Sequence, residues 1–113
     1  MMDRITRYKE ILKQELEKRA AIKVSYSPHV KNHLIINEEE TDSMLLRFGW
    51  MGHRYRYLVV FHFQIIGDKI WLHQNNIDVE IGEILAEKGI PKSSTVIGFV
   101  GKLERGLEGY AAA

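Results

Sequence analysis

The sequence predicts an α+β fold with two helices and a four-stranded antiparallel sheet. An apolar stripe with helical spacing comes first, four strand-like runs with short connections follow it, and a second helical stripe lies after the last run. The chain has 113 residues, of which 45% are hydrophobic and 27% charged, as in an ordinary globular protein. No linker-like segment interrupts it, so we expect residues 1–113 to form a single domain.

The N-terminal helix is predicted over residues 3–20. Its apolar positions recur three or four residues apart and comprise Ile5, Tyr8, Leu12 and Leu16. Asp3 has a side chain suited to N-capping. The intervening positions carry charges of both signs, which indicates a face exposed to solvent. Residues 21–29, which include Pro28, are predicted to be a loop.

Four strands are predicted at residues 30–37, 43–50, 54–66 and 69–75. An acidic and polar segment separates the first two strands, and short turns that contain glycine separate the others. Because connections this short join only neighbouring antiparallel strands, the sequence predicts a meander.

The second helix is predicted over residues 77–88. Its apolar stripe consists of Ile77, Ile81, Ile84 and Leu85. Asn75 or Asn76 is expected to cap its start, and Gly89 is expected to end it. The C-terminal tail contains one short apolar run, Val96–Val100, and is otherwise predicted to be irregular.

Alternation along the third strand assigns residues to the two faces of the sheet. The odd positions from Tyr55 to Ile65 are all apolar, so we expect the helices to cover this row. The even positions from Arg54 to Gln64 are mixed and should form the outer face. The same alternation on the fourth strand adds Asn75 to that face. The outer face then contains five further side chains: Leu58, Val60, His62, Trp71 and His73.

Trp50, His62, Trp71 and His73 form the candidate interaction surface. Tryptophan is a large anchor that is enriched at protein interfaces, and histidines can supply hydrogen bonds there. A second core layer or an oligomer interface is the favoured interpretation of this face. A groove for a small ligand or a partner peptide is an alternative, and a catalytic or metal site is the least favoured.

Patterns typical of enzymes and metal sites are missing from the sequence. The chain has no cysteine, and its five histidines lack the spacing that places two imidazoles on one helical face. The sequence also contains no G-x-S-x-G elbow and no phosphate-binding glycine loop. We therefore expect no catalytic residue, no metal and no cofactor, with a metal-dependent hydrolase as a minor alternative.

Direct DNA binding is the main alternative function. The formal net charge is only +1, so composition gives no general attraction to nucleic acid. The segment His53–Tyr57 alternates basic and aromatic residues, and the candidate phosphate contacts are Arg47, Arg54 and Arg56. Alternation, however, places Arg54 and Arg56 on one face of the strand and the tyrosines on the other.

Several short motifs occur in a characteristic order along the whole chain. They are "FGW" (Phe48–Trp50), His62, "KIW" (Lys69–Trp71), "GIPK" (Gly89–Lys92), "VIGF" (Val96–Phe99), Arg105 and the terminal "GYAAA". In this ordered set the chain resembles the XisI-like family, the fdxN-element excision controlling factors of bacteria. The resemblance implies a role in controlling excision of a DNA element, with a nearby-encoded, nuclease-like XisH partner, while a separate recombinase carries out the DNA chemistry.

The leading prediction is therefore a non-enzymatic regulatory protein that binds an XisH-like partner and forms a homo-oligomer. The excisionase-like DNA-binding factor is the alternative. The first residues contain no run typical of a signal peptide, and no segment of the sequence approaches the roughly 20 apolar residues of a membrane span. We therefore expect a cytoplasmic location without membrane contact.

Overall fold

The computed structural model describes residues 3–23 and 27–113, and it has two helices packed on one face of a five-stranded sheet. The helices and strands in chain order are α1 (Arg4–Ala20), β1 (Val30–Ile36), β2 (Asp42–Met51), β3 (Arg54–Ile66), β4 (Lys69–Asn75), α2 (Ile81–Lys88) and β5 (Thr95–Ile97). Short 3-10 helices lie at Lys92–Ser94 and Leu107–Gly109. Part of the predicted loop at 21–29 lies outside the described residues.

The strand order is β1-β2-β3-β4-β5, and the first four strands form the predicted antiparallel meander. The α+β class is thus confirmed. The fifth strand was not predicted. It lies parallel to β4, with Ile70 opposite Thr95 and Leu72 opposite Ile97. A strand of three residues gives no alternation pattern, so the sequence showed only an apolar run.

Helix α1 begins and packs as its sequence predicts. The Asp3 carboxylate accepts a hydrogen bond from the backbone N–H of Thr6 at 2.7 Å, which satisfies a donor of the first turn. Tyr8, Leu12 and Leu16 are buried against the sheet. These three side chains therefore fix one face of the helix on the core.

Glu15 is an exception to the predicted solvent-exposed face of α1. Its side chain is buried, and its carboxylate lies 2.8 Å from Arg19 Nε and 3.6 Å from Lys88 Nζ. A buried carboxylate needs such partners because its desolvation is costly. The ion pair with Lys88 links the end of α2 to α1.

Helix α2 begins at Ile81, four residues later than predicted. Asn75 does not cap it. Instead, the Asn75 side chain donates a hydrogen bond to the Val79 carbonyl at 2.8 Å and accepts one from the Ile77 N–H at 3.3 Å, which orders the loop before the helix. The helix ends at Gly89, whose φ of 118° is readily adopted by glycine, as predicted.

An irregularity in the β2–β3 pairing changes the faces of β3. Leu46 lies opposite Val59 and Leu45 opposite Phe61, so Val60 is an extra residue, a β-bulge. The predicted core row is correct beyond the bulge, where Phe61, Phe63 and Ile65 are buried. It is wrong before the bulge, where the outer face instead carries Tyr55 and Tyr57, which are 54% and 64% exposed.

Because of this bulge, two residues that were predicted on the outer face lie on the side of the core instead. Val60 is fully buried in the core, and Leu58 packs against it. A second irregularity, in the β3–β4 pairing, places His62 opposite Gln74 and Phe63 opposite Leu72, which makes His73 the extra residue. Asn75 then lies opposite Phe61 on the helix face, because cross-strand partners point to the same side of a sheet. Its predicted position on the outer face is wrong.

No helix within residues 3–23 and 27–113 is long and apolar enough to cross a membrane.

Candidate interaction surface

The outer face of the sheet, opposite the helices, is largely apolar. Cross-strand partners on β1, β2 and β3 place five apolar side chains at its centre: Ile35, Met44, Leu46, Phe48 and Val59. The charged side chains that the registers place on this face, Lys31, Asp42 and Lys69, lie at its margins. Ile35 is 46% exposed, Met44, Phe48 and Val59 are half-buried, and Leu46 is buried, so the centre of this face is only partly open to solvent.

Three of the four predicted interaction residues meet at one end of this face. The rings of His62 and His73 have centroids 5.0 Å apart, and Trp71 stacks on His73 at 6.0 Å. Gln64 joins them through a 3.0 Å hydrogen bond between its Oε1 atom and His73 Nε2. All three aromatic side chains are half-buried. We refer to His62, Trp71 and His73 as the His–Trp cluster.

Arg105 covers the His–Trp cluster from the C-terminal tail. Its guanidinium lies 5.2 Å from the centre of a Trp71 ring, a cation–π geometry. The same group donates hydrogen bonds to the carbonyls of Val100 at 2.9 Å and Gly98 at 3.3 Å. Arg105 therefore holds the tail against β4. The sequence showed this residue only as part of the family pattern, since a single arginine in a glycine-rich tail gives no local signal.

The environment of His62 disfavours its protonated form. Burial, followed by the charge of nearby His73, lowers the pKa of His62, while Asp42 acts in the opposite direction. Neutral imidazole can both donate and accept hydrogen bonds, as an interface requires. Among the described residues, no group of three or more His, Asp or Glu side chains is placed to hold a metal ion.

Trp50, the fourth predicted residue, lies away from the cluster. It is six residues beyond Met44, the partner of His62, and is therefore about 20 Å from it along β2. Trp50 packs edge-on against Tyr55 at 5.4 Å, and Phe48 stacks on Tyr57 at 6.1 Å. We refer to Phe48, Trp50, Tyr55 and Tyr57 as the aromatic ladder. The predicted surface thus has two centres.

The three candidate arginines are not equivalent. Arg54 and Arg56 are exposed, and they lie on the opposite side of β3 from the tyrosines, as alternation predicts. Arg47 is partly buried and donates a hydrogen bond to Asn32 Oδ1 at 3.0 Å. Asn32 in turn donates one to the Ile22 carbonyl at 2.6 Å. Arg47 therefore has a structural contact, and Arg54 and Arg56 are the two candidate phosphate contacts that are exposed.

A cavity of about 350 Å³ lies between α2 and the C-terminal tail, and its lining includes Leu72, Ile81, Phe99 and Tyr110. No residue of the His–Trp cluster lines this cavity. Arg105, which contacts Trp71, also lines the cavity, so the cavity adjoins the cluster.

The fold and its outer face define a class of small α+β proteins in which a meander sheet ends in a parallel edge strand and has helices on only one side. A family model, described as XisI protein, matches residues 2–112. This chain belongs to the XisI family.

Two solved structures are similar over nearly the whole chain. A XisI-like protein from Anabaena variabilis ATCC 29413 has 32% sequence identity and a TM-score of 0.86, and the match covers 98% of this chain and 100% of that one. The fdxN element excision controlling factor XisI from the same organism has 26% identity and a TM-score of 0.78, with the same coverage. No curated protein matches this chain.

Proposed function

We propose that this protein is an accessory factor that controls excision of a DNA element by binding other proteins, without catalysing a reaction itself. Membership of the XisI family supports the regulatory role, because one similar protein is named as an excision controlling factor. The observation that carries the mode of action is the partly open apolar face of the sheet. Exposed apolar patches of this kind are typical of protein interaction sites.

The size of the outer face supports this proposal. Four strands spaced about 4.8 Å apart, with about ten residues of 3.3 Å each, give a flat footprint of roughly 600 Å². Stable interfaces bury about 800 Å² on each partner. Side chains that protrude from the sheet make its accessible area larger than the flat footprint. The face is therefore large enough for a second copy of the chain or for an XisH-like protein encoded nearby.

The composition of the face also supports protein contact. Trp71 provides a large anchor, and the imidazoles of His62 and His73 beside it can provide hydrogen bonds that suit an interface core. The charged residues at the margins correspond to the polar rim that surrounds such a core. Because the five apolar side chains at the centre carry no charge, they add no electrostatic repulsion between two identical faces.

Co-purification with the product of the neighbouring gene, followed by mass measurement of the complex, tests this function. We expect a stable complex that contains both proteins and more than one copy of this chain. In the Trp71→Ala/His62→Ala variant, assembly should weaken, whereas Leu103→Ala should behave as the wild type because Leu103 is 97% exposed and lies in the tail. Unchanged assembly and partner binding in a folded double variant would contradict the proposal.

A further inference from the structure

The N-terminal half of β3 has an open backbone edge. β4 pairs with β3 only from Phe61 onward, where Phe61 lies opposite Asn75. Residues 54–58 of β3 pair with β2 on one side, and no strand of the described chain pairs with them on the other. Exposed strand edges of this kind can accept a further strand.

Asn76 identifies the backbone groups that point toward the open edge. Its side chain donates a hydrogen bond to the Val59 carbonyl at 2.8 Å, and its backbone N–H donates one to the Val60 carbonyl at 3.0 Å, both from the β4 side. Because backbone groups alternate in direction along a strand, Tyr57 and Tyr55 also direct their N–H and C=O groups outward. Their side chains are more than half exposed, which agrees with an uncovered edge.

The side chains along this edge define the chemistry of an added strand. Arg54 and Arg56 are exposed on one face, and in the described part of the chain neither lies within ion-pair distance of a carboxylate. Tyr55 and Tyr57 lie on the other face and continue into the aromatic ladder. A strand laid along the edge therefore meets positive charge on one face and aromatic surface on the other.

We infer that this edge, Arg54–Leu58, binds an extended segment of a protein partner in which acidic and apolar residues alternate. The acidic side chains face the two arginines, and the apolar side chains pack on the two tyrosines. The backbone of the segment pairs with Tyr55 and Tyr57. The inference rests on the proposed function only in that the chain works through protein contacts, and it assigns a second contact site, separate from the His–Trp cluster.

A peptide strand fits this edge better than nucleic acid does. Nucleic acid offers phosphates and bases on one strand, which reaches either the arginines or the tyrosines but not both faces of β3. An added β-strand alternates its side chains between the same two faces and also satisfies the backbone donors and acceptors.

A second copy of this edge fits poorly. If Tyr55 paired with Tyr57 of the copy, the two Arg56 side chains would lie directly opposite each other, and like charges in that position are destabilising. If Tyr55 paired with its own copy, Arg54 would lie opposite Arg56. Centring the pair on Tyr57 would require the Val59 carbonyl, which Asn76 already occupies.

The test uses the isotope-labelled full-length chain and a seven-residue, end-blocked peptide in which valine and glutamate alternate. We expect saturable binding and slower hydrogen exchange at the backbone amides of Tyr55 and Tyr57. The amides of Arg54 and Arg56, which point toward β2, should change little. The Arg54→Glu/Arg56→Glu variant should bind at least about tenfold more weakly. Arg4→Glu, a charge reversal at the exposed start of α1, is the matched control and should bind as the wild type.

Two altered peptides make the test specific. Replacement of the glutamates by lysine should abolish binding to the wild type and restore binding to Arg54→Glu/Arg56→Glu. A fully N-methylated peptide keeps its side chains but cannot donate backbone hydrogen bonds, and it should not bind. Equal binding of the methylated peptide, unchanged exchange at Tyr55 and Tyr57, or displacement of the peptide by a single-stranded oligonucleotide at lower concentration would each overturn the inference.

This outcome is separable from that of the proposed function. Failure of the peptide test with intact co-purification of the neighbouring gene product overturns only the edge site. Loss of co-purification with intact peptide binding overturns the proposed partner and leaves the edge site standing.

Discussion

The C-terminal half of β3, Phe61–Ile66, lies between two strands and contributes three buried side chains to the core. Its N-terminal half, Arg54–Leu58, pairs with β2 on one side, has no other strand partner among the described residues, and exposes both of its tyrosines. Both halves alternate aromatic or aliphatic residues with polar ones, so residue type does not separate them. The difference arises from the neighbours of each half and from the bulge at Val60.

This comparison shows how one strand can serve two purposes. The half beyond the bulge contributes to folding stability, because its side chains leave water on folding. The half before the bulge contributes little to the core, and its side chains and backbone edge remain available for contacts. Substitutions in the two halves should therefore have very different consequences for the free energy of unfolding.

The largest effect should come from Phe61→Ala. Phe61 is fully buried, so its truncation leaves a cavity and should lower the free energy of unfolding by about 3–5 kcal/mol. Tyr57→Ala, in the exposed half, should cost less than about 1 kcal/mol. Urea unfolding followed by circular dichroism measures both, and similar losses for the two variants would contradict the division of β3.

The next largest loss of stability should come from a substitution of Gly49, which lies on β2 opposite the exposed half of β3. Gly49, the partner of Arg56, has a φ of 141°, and an added Cβ would overlap the His29 carbonyl oxygen. Gly49→Ala should therefore destabilise the fold by about 2 kcal/mol or more through backbone strain. Gly101→Ala is the control, since an added Cβ there meets only a flexible glutamate side chain at 3.4 Å. Equal stability of the two variants in urea would show that the β1–β2 approach at Gly49 adapts easily.

Substitutions of two arginines compare the stability contribution of the exposed half of β3 with that of the C-terminal tail. Arg105→Met removes two hydrogen bonds and the cation–π contact with Trp71, so it should cost about 1–2 kcal/mol. Arg56→Met, in the exposed half, should change stability by less than about 0.5 kcal/mol. Thermal unfolding of the pair gives the difference directly. A larger loss for Arg56→Met would mean that the exposed half contributes to stability after all.

The smallest effect should be a pH dependence from His62. Its folded pKa is lowered from 6.5, first by burial, so the unfolded chain binds the proton more tightly. Stability is therefore complete above about pH 6.5 and falls as the pH drops below it, until the folded form is also protonated. In His62→Gln this decrease should be smaller. Urea midpoints measured from pH 7.5 to 5 for both proteins provide the check, and parallel curves would argue against the lowered pKa.

Much of the fold follows from sequence periodicity. The helix stripe of α1, the four strands and the end of α2 at Gly89 agree with the structure, because hydrophobic period and turn residues are local signals. The bulges at Val60 and His73 were not predictable from alternation. A bulge inserts one residue without changing composition, and it exchanges the faces of all residues beyond it. That is why Tyr55, Tyr57, Val60 and Asn75 were assigned to the wrong faces.

The predicted surface residues also show that sequence alternation cannot predict the register of the sheet. His62, Trp71 and His73 meet because they lie on adjacent strands, and the sequence predicted their common face. Trp50 was joined to them only by residue type, and its position about 20 Å along β2 depends on the register of the sheet. Arg47 shows a further limit, since its contact with Asn32 depends on where the chain passes after α1.

The parallel strand β5 has a consequence for the order in which the chain folds. The four-strand meander consists of hairpins between sequence neighbours, which form early because little loop entropy opposes them. β5 reaches β4 only after the intervening loop and α2 have been placed, and Ser94 beside it contacts Tyr8, which lies 86 residues earlier in the chain. During synthesis on the ribosome, the packing of α1 is therefore complete only after the segment around Ser94 has emerged.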